Sequence, residues 1–493
     1  MANLPNKAVL TGEMRANRAA GGEVFQIIRT LAGKSTVSKL LEKHFHGYPP
    51  QSLITTGRTF PIASRVDVQT AMDELFGGSP EATRYGLHSP HHGGIEAMGI
   101  AQLLQRTPFP VDIGPLQYDD IDVGEEVPAR CVRQALWLSR EGEIPFAVLL
   151  GRGAQMGMPL GIQVEVAAPS GSSGVKFTEG FFENLEKSIS VGRTYRGKVI
   201  SLEMAVDYTG RGGSVKVHRL REVSREDVIL PEKTVALLES NLTGFIRARR
   251  EIRAMGLSAK KGLLFYGPPG TGKTHTLHYL ASAMPGHTML LITAEQVVLL
   301  EHYFKLARFL QPSIIVVEDV DLIARERTHL QMPGQEMLLN KLLNEMDGLR
   351  EDAEVIFILT TNRPDQLEPA LASRPGRIDQ AIEFPLPDEI GRAKLARLYG
   401  HGLEVRDEDV PVIVSKTKGA SAAFIKELMR RSAQFVLLRG QQRSLTIADI
   451  DAALEEMVFL GGALNLKLLG ADAVAQPGDN ADSRAVISTR IRA

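Results

Sequence analysis

The residues with the clearest chemistry lie in one short loop, Gly267–Thr274, which reads GPPGTGKT. An apolar run, Gly262–Tyr266, leads into it and a helical pattern follows. Gly267, Gly270 and Gly272 allow a tight turn and let the backbone approach a bulky anion with no Cβ in the way. Pro268, Pro269 and Thr271 complete the loop. Its successive N–H groups and the positive end of the next helix face the same polyanion. Lys273 brings a mobile ammonium to the β- and γ-phosphates, and the Thr274 hydroxyl is placed to ligate Mg²⁺. This strand–loop–helix pattern predicts binding of a nucleoside triphosphate, ATP, with Mg²⁺ as cofactor.

A second feature closes another apolar run. Ile314, Ile315, Val316 and Val317 are followed by Glu318, Asp319, Val320 and Asp321. Two adjacent carboxylates at the carboxyl end of a strand can divide labour. One orients water on a metal, and the other accepts a proton from an attacking water. Open α/β sheets place their ligand crevice at that end of the strands, which brings the acids toward the phosphate loop.

These groups need a framework, and the periodicity supplies one. Apolar strand candidates (Gly262–Tyr266, Thr288–Ile292, Ser313–Val317, Glu354–Thr360) alternate with helical patterns such as Lys233–Met255 and Gln335–Met346. That alternation predicts a mostly parallel sheet covered by helices on both faces, residues 229–388. A helical region, 389–465, follows, and residues 466–493 lack strong periodicity and read as a mobile tail. Upstream, residues 1–85 read as amphipathic helix. Residues 86–228 read as a mixed α/β, strand-rich domain, with candidates Arg133–Ser139, Ile144–Leu150, Gly161–Ala167 and Tyr195–Val206.

The chain has 493 residues, with 57 Lys plus Arg against 58 Asp plus Glu. That balance gives no whole-chain footprint for nucleic acid. Its single cysteine, Cys131, excludes an intramolecular disulfide and any cysteine-rich metal site. No apolar run approaches the ~18 residues of a membrane helix, and no signal-peptide core is evident. The expectation is a cytoplasmic, multidomain protein with no transmembrane segment.

In order along residues 230–461, these motifs resemble one module of the AAA family of ATPases, within the AAA+ superfamily. The resemblance implies a P-loop α/β domain with a helical lid. Asn362, in TTNRPD, is similar to the family's sensor-1 residue, which helps to hold the attacking water. Arg374 and Arg377, in SRPGRID, match the RPGR element, whose arginines act as fingers on a neighbouring subunit's γ-phosphate. A planar guanidinium suits that task. Gly419–Phe424 (GASAAF) resembles the lid turn that lies against the nucleotide. The resemblance further implies a homo-oligomer, commonly a hexameric ring, acting on a protein client.

Several departures qualify the likeness. The usual Walker B order is Asp then Glu, but here Glu318 precedes Asp319, a reversal similar to that in the mitochondrial Rieske-protein-translocating AAA proteins. Glu318 then takes the metal side with Thr274, and Asp319 takes the role of base. One methylene is added on the first and removed on the second, so slow turnover is expected. The segment between Ala294 and Ala307 lacks the family's aromatic–Gly pore pair, and its Tyr303 and Phe304 read as helix packing. Other features read plainly. His44, His46, His88, His91 and His92 read as polar loop residues, and no HExxH motif occurs. The basic stretch Arg247–Lys261 reads as a solvated or packing helix. The function expected is that of an ATP-hydrolysing ring that remodels a protein client. The alternatives are a nucleotide-gated scaffold with slow turnover and, disfavoured, a nucleic-acid remodeller.

Overall fold

The computed structural model describes residues 36–88, 98–105, 111–155, 158–192, 194–203, 215–321, 342, 344–350, 353–365, 377–440 and 443–457. The chain divides into two compact units, Met1–Tyr195 with Glu203–Lys216, and Arg196–Leu202 with Val217–Ala493.

In the first unit, α1 (Thr36–His44), β1 (Leu53–Phe60), α2 (Arg65–Gly77), β2 (Thr83–His88) and β3 (Asp112–Gly114) come first. A two-stranded ladder, β4 (Tyr118–Ile121) with β5 (Ala129–Val132), follows. Then come β6 (Ala135–Glu141), β7 (Ile144–Gln155), β8 (Met158–Pro169) and the long helix α3 (Ser172–Val191). The main sheet is six-stranded, in the order β1-β8-β7-β6-β2-β3. Its long hairpin β7–β8 is antiparallel, and β1 runs antiparallel to β8 from Leu53↔Pro169 to Phe60↔Ile162.

This arrangement corrects the expectation of a helical region over residues 1–85. β1 and β2 lie inside that range and are built into the same sheet as β6 to β8. The physical signal is in LITTGRTF itself, where threonines and a terminal Phe suit a pleated, half-buried surface better than a helix. Residues 1–35 lie outside the described residues. The strands expected within Arg133–Ser139, Ile144–Leu150 and Gly161–Ala167 correspond to β6, β7 and β8, each displaced or extended by a few residues.

The second unit contains β9 (Val199–Leu202), α4 (Glu232–Glu239), α5 (Phe245–Ala254), β10 (Lys261–Tyr266), α6 (Lys273–Ala283), β11 (Thr288–Ile292), α7 (Leu300–Phe309), β12 (Ser313–Val317), β13 (Val355–Thr361) and β14 (Gln380–Glu383). Side by side the strands run β9, β11, β12, β13, β10, β14, and every neighbouring pair among them is parallel. All five residues of β12 and all seven of β13 are buried, as strands covered on both faces require. On one face Leu263, Phe265, Ile314, Val316, Ile356 and Ile358 pack with Leu277 and Leu280 of α6 and Leu238 of α4.

β9 alters the expected boundary near residue 228. The strand expected over Tyr195–Val206 shortens to Val199–Leu202 and pairs with β11 through Met289↔Val199 and Leu290↔Ile200. Three of the four residues of VISL are apolar and Ile200, Ser201 and Leu202 are buried, which suits a covered parallel sheet. Strand identity is local, whereas the partner strand is not, so adjacency in sequence gave the wrong neighbour.

The helical region consists of α8 (Glu389–Tyr399), α9 (Val410–Lys416), α10 (Ala422–Leu438) and α11 (Ile447–Glu455) around its own core, including Leu395, Ile413, Ile425, Leu428, Met429 and Ile450. Asp388 caps α8 by accepting from Gly391 N, and Ser421 caps α10 by accepting from Phe424 N. Among the described residues no helix is long and apolar enough to cross a membrane. Residues 458–493, including the expected tail, lie outside the described set.

Candidate nucleotide site

The loop between β10 and α6 is held in an unusual backbone shape. Gly267, Gly270 and Gly272 have φ of 146°, 75° and 102°. These are left-handed values that side-chain-bearing residues rarely adopt. Close approach adds a second constraint, because a Cβ at Gly267 would sit 2.2 Å from Phe384 O. Thr271 Oγ1 donates to Pro268 O at 2.9 Å and ties the loop to itself.

Lys273 is buried at the first turn of α6, and its Nζ donates to Gly267 O at 2.8 Å and Pro268 O at 3.0 Å. Burial pushes its pKa down to about 8, while Asp319 and Asp321 oppose that shift. Among the described residues the ammonium bonds to these neutral loop carbonyls, which a phosphate oxygen can replace with a stronger, charge-assisted bond.

The two acids make different contacts. Thr274 Oγ1 donates to Glu318 Oε1 at 3.0 Å. Asp319 instead accepts from Asn362 Nδ2 at 3.1 Å. Asp319 is the one non-glycine residue with positive φ, 47°, among the described residues. Aspartate tolerates that region better than most residues. Its own N–H donates to Thr360 Oγ1 at 3.0 Å, which fixes the turn after β12 to β13. Burial first, and then the Asp321 charge, hold the Asp319 carboxyl above its ordinary range, against Lys273 and the Asn362 hydrogen bond.

Asp321 was visible in the sequence without a role, and the structure supplies one. It is 3% exposed and accepts from Thr361 Oγ1 at 2.8 Å and Asn362 N at 3.2 Å. It anchors the end of β13 and so aims Asn362.

Lys273, Thr274, Asp319 and Asn362 line one cleft of about 350 Å³ whose wall also includes Pro269 to Gly272, His275, Thr276 and Thr360, while Glu318 reaches it through Thr274 and Asp321 through Asn362. The lid turn closes on it: Ala423 N donates to Gly270 O at 3.0 Å. The remaining wall was missed by sequence reasoning. Asp227 to Leu230, with Leu395, Tyr399 and Lys426 of the lid, line the same cleft. His275 Nε2 lies 3.2 Å from Asp227 O and links this segment to α6. Lys426 is the informative omission, since it faces the cleft from α10 with Nζ 5.9 Å from the Tyr399 ring centroid. A lysine in a helix carries no motif, and only the packing of the lid reveals its direction.

Other expected site residues fall elsewhere. Arg377 is outside the cleft of its own chain, and its Nη2 pairs with Asp347 while Nη1 is buried with no partner among the described residues. Arg374 lies outside the described residues, as do His91 and His92. Tyr303 and Phe304 are fully buried in α7. The Tyr303 hydroxyl accepts from Leu202 N at 2.7 Å and donates to Gln296 Oε1 at 3.0 Å.

The donor set suits a hard divalent cation. The Thr274 hydroxyl and the Glu318 carboxylate are adjacent oxygen donors beside a cationic phosphate cradle, a combination that Mg²⁺ favours when phosphate completes its shell.

Comparison with known proteins agrees with this geometry. Residues 263–386 match the family model "ATPase family associated with various cellular activities (AAA)". A proteasome-activating nucleotidase of Methanothermobacter thermautotrophicus is 34% identical over 269 residues, covering 51% of this chain and 60% of that protein. An ATP-dependent zinc metalloprotease FtsH of Thermus thermophilus is 29% identical over 322 residues, covering 61% of this chain and 50% of that protein. A proteasome-activating nucleotidase of Thermococcus kodakarensis is 32% identical over 268 residues, 51% of this chain and 62% of that protein. The chain thus matches half to three-fifths of the length of these relatives. Residues 263–386 form an AAA domain, the P-loop part of an AAA+ module within a longer chain.

Proposed function

We propose that this protein binds and hydrolyses ATP with Mg²⁺, assembles into a ring of like subunits and uses the cycle to remodel a protein client. The supporting observation is the division of the two acids, with Glu318 on the Thr274 hydroxyl and Asp319 on Asn362, around one phosphate loop. The reading draws further support from the relatives, whose names describe a proteasome-activating nucleotidase and an ATP-dependent protease.

In this scheme Lys273 leaves the loop carbonyls for the β- and γ-phosphates, and the loop N–H groups take the remaining oxygens. Bound Mg²⁺ supplies charge neutralisation for those phosphates. Thr274 and Glu318 hold its site. Asp319 removes a proton from the attacking water, and Asn362 orients that water and the carboxylate together. Arg374 and Arg377 act on a neighbouring copy's nucleotide, a role that fits the position of Arg377 outside its own cleft. The lid senses occupancy through the Ala423–Gly270 contact. Asp227 to Leu230, Leu395 and Tyr399 hold the base and ribose end.

The extra methylene on Glu318 and the missing one on Asp319 support slow turnover, because near-attack geometry is sensitive to displacements of ~1 Å. A second reading, the nucleotide-gated scaffold, is favoured by one observation: Tyr303 and Phe304 are core residues, so this segment offers no aromatic to a channel. The discriminating experiment compares client remodelling with ATP and with a non-hydrolysable analogue. Remodelling that needs hydrolysis supports the motor, whereas equal remodelling with the analogue supports the scaffold. Lys273→Ala abolishes ATP binding under either reading, and retained binding would reject the cleft.

A further inference from the structure

The basic stretch beginning at Arg247 takes no part in the nucleotide cleft. α5 places Ile246, Arg249, Arg250 and Arg253 at positions i, i+3, i+4 and i+7, along one face of the helix. That face borders a cavity of about 640 Å³ whose other walls are Ala254, His287, Pro312 and Glu354. His287, Pro312 and Glu354 immediately precede β11, β12 and β13. The cavity therefore lies at the amino ends of the strands, across the sheet from the phosphate loop.

Arg249 is the anomaly in this cavity. It is 4% exposed, and its Nε and Nη2 are buried with no hydrogen-bond partner among the described residues. The Phe245 ring, 5.5 Å from its Cζ, offers a π face but no acceptor in the plane of those donors. Burial holds its pKa below the ordinary value, with Glu354 opposing and Arg253 assisting. A buried guanidinium with empty donors is costly unless an anion completes it.

The charge around it defines that anion. Arg253 is satisfied by Glu354, with Nη1 2.6 Å from Oε1. Arg249 and the exposed Arg250 then leave two positive charges with no ion pair of their own among the described residues, and burial together with Arg249 lowers the pKa of His287 and favours its neutral form. A dianion with oxygens in a planar pair matches a guanidinium fork.

We propose that this cavity binds a phosphate dianion, free or as the terminal group of a small monoester, with Arg249 as the buried anchor and Arg250 as the outer contact. Nucleic-acid backbones offer singly charged diesters, which suit a recessed fork less well.

The test uses the full-length protein saturated with Mg²⁺ and a non-hydrolysable ATP analogue, so that the phosphate loop is already occupied. Orthophosphate or glycerol 2-phosphate is titrated at constant ionic strength while Tm is followed. A saturable rise is expected. A response to both ligands identifies a monoester site, and a response to orthophosphate alone identifies a free-phosphate site. Arg249→Met and Arg250→Met should each weaken the apparent affinity by about tenfold or more, the scale of one lost charged hydrogen bond. Arg250→Met alters an exposed side chain and keeps the test available if Arg249→Met fails to fold. No rise beyond that with chloride overturns the proposal. So does an undiminished response in Arg250→Met, or tighter binding of a single-stranded DNA oligonucleotide than of either phosphate. The readout is independent of ATP turnover, so its failure is distinct from failure of the hydrolytic reading.

Discussion

Asn362 donates from Nδ2 to Asp319 Oδ1 over 3.1 Å, joining the end of β13 to the turn that follows β12. The hydrogen bond holds the proposed base and favours its charged form. Replacing Asn362 with Ala should therefore lower kcat by roughly 10²-fold, the scale of one lost preorganised donor, and leave ATP affinity nearly unchanged. Single-turnover phosphate release alongside nucleotide titration measures both. Unaltered kcat would remove Asn362 from the mechanism.

Asp319 also predicts a pH dependence. Its carboxyl is held above the ordinary range, chiefly by burial and by Asp321. A base works when deprotonated, so turnover should rise with pH through a midpoint above that of an ordinary carboxylate, ~4. Asn362→Ala removes a donor to the charged form and should move the midpoint further up. A midpoint at or below the ordinary value in the parent protein would contradict the assignment.

Lys273 titrates in the opposite sense. With its pKa lowered to about 8 by burial, the free ammonium loses its proton as pH rises through that value. Phosphate oxygens favour the charged form, so ATP binding near and above that pH should take up a proton, and affinity should fall as pH increases. Calorimetry in two buffers of different ionisation enthalpy detects the uptake. Identical apparent enthalpies in both buffers would refute it.

The lid contact makes a steric prediction. A Cβ at Gly270 would lie 2.9 Å from Ser421 Oγ and from Ala423 Cβ, and φ there is 75°. Gly270→Ala should weaken ATP binding by about tenfold or more while the lid keeps its helices, since its core is separate from the loop. Fluorescent-nucleotide titration and circular dichroism test the two halves. Wild-type affinity would mean that the loop and lid do not close on the nucleotide together.

How much of the fold and site was legible in the sequence depended on the range of the interactions involved. The phosphate loop was legible because its function is written in contiguous residues, Gly267 to Thr274. The strands β11 and β12 were legible to the residue, since buried parallel strands are short continuous apolar runs. Lys426, Tyr399 and Asp227 were not, because they meet only after the lid packs against the sheet. Asp321 stood in plain view, but its hydrogen bonds to Thr361 and Asn362 cross from one strand end to another. The strand character of β1 stood in LITTGRTF and was passed over, whereas the partners β8 of β1 and β6 of β2 lie far along the chain and were not readable locally.

The most direct test of the central claim measures ATP binding and phosphate release by the full-length protein and by Asp319→Asn, with Mg²⁺ present. The account predicts binding by both, with release by the parent protein and not by the variant. Release by Asp319→Asn at the parent rate, or no ATP binding by the parent protein, would contradict it.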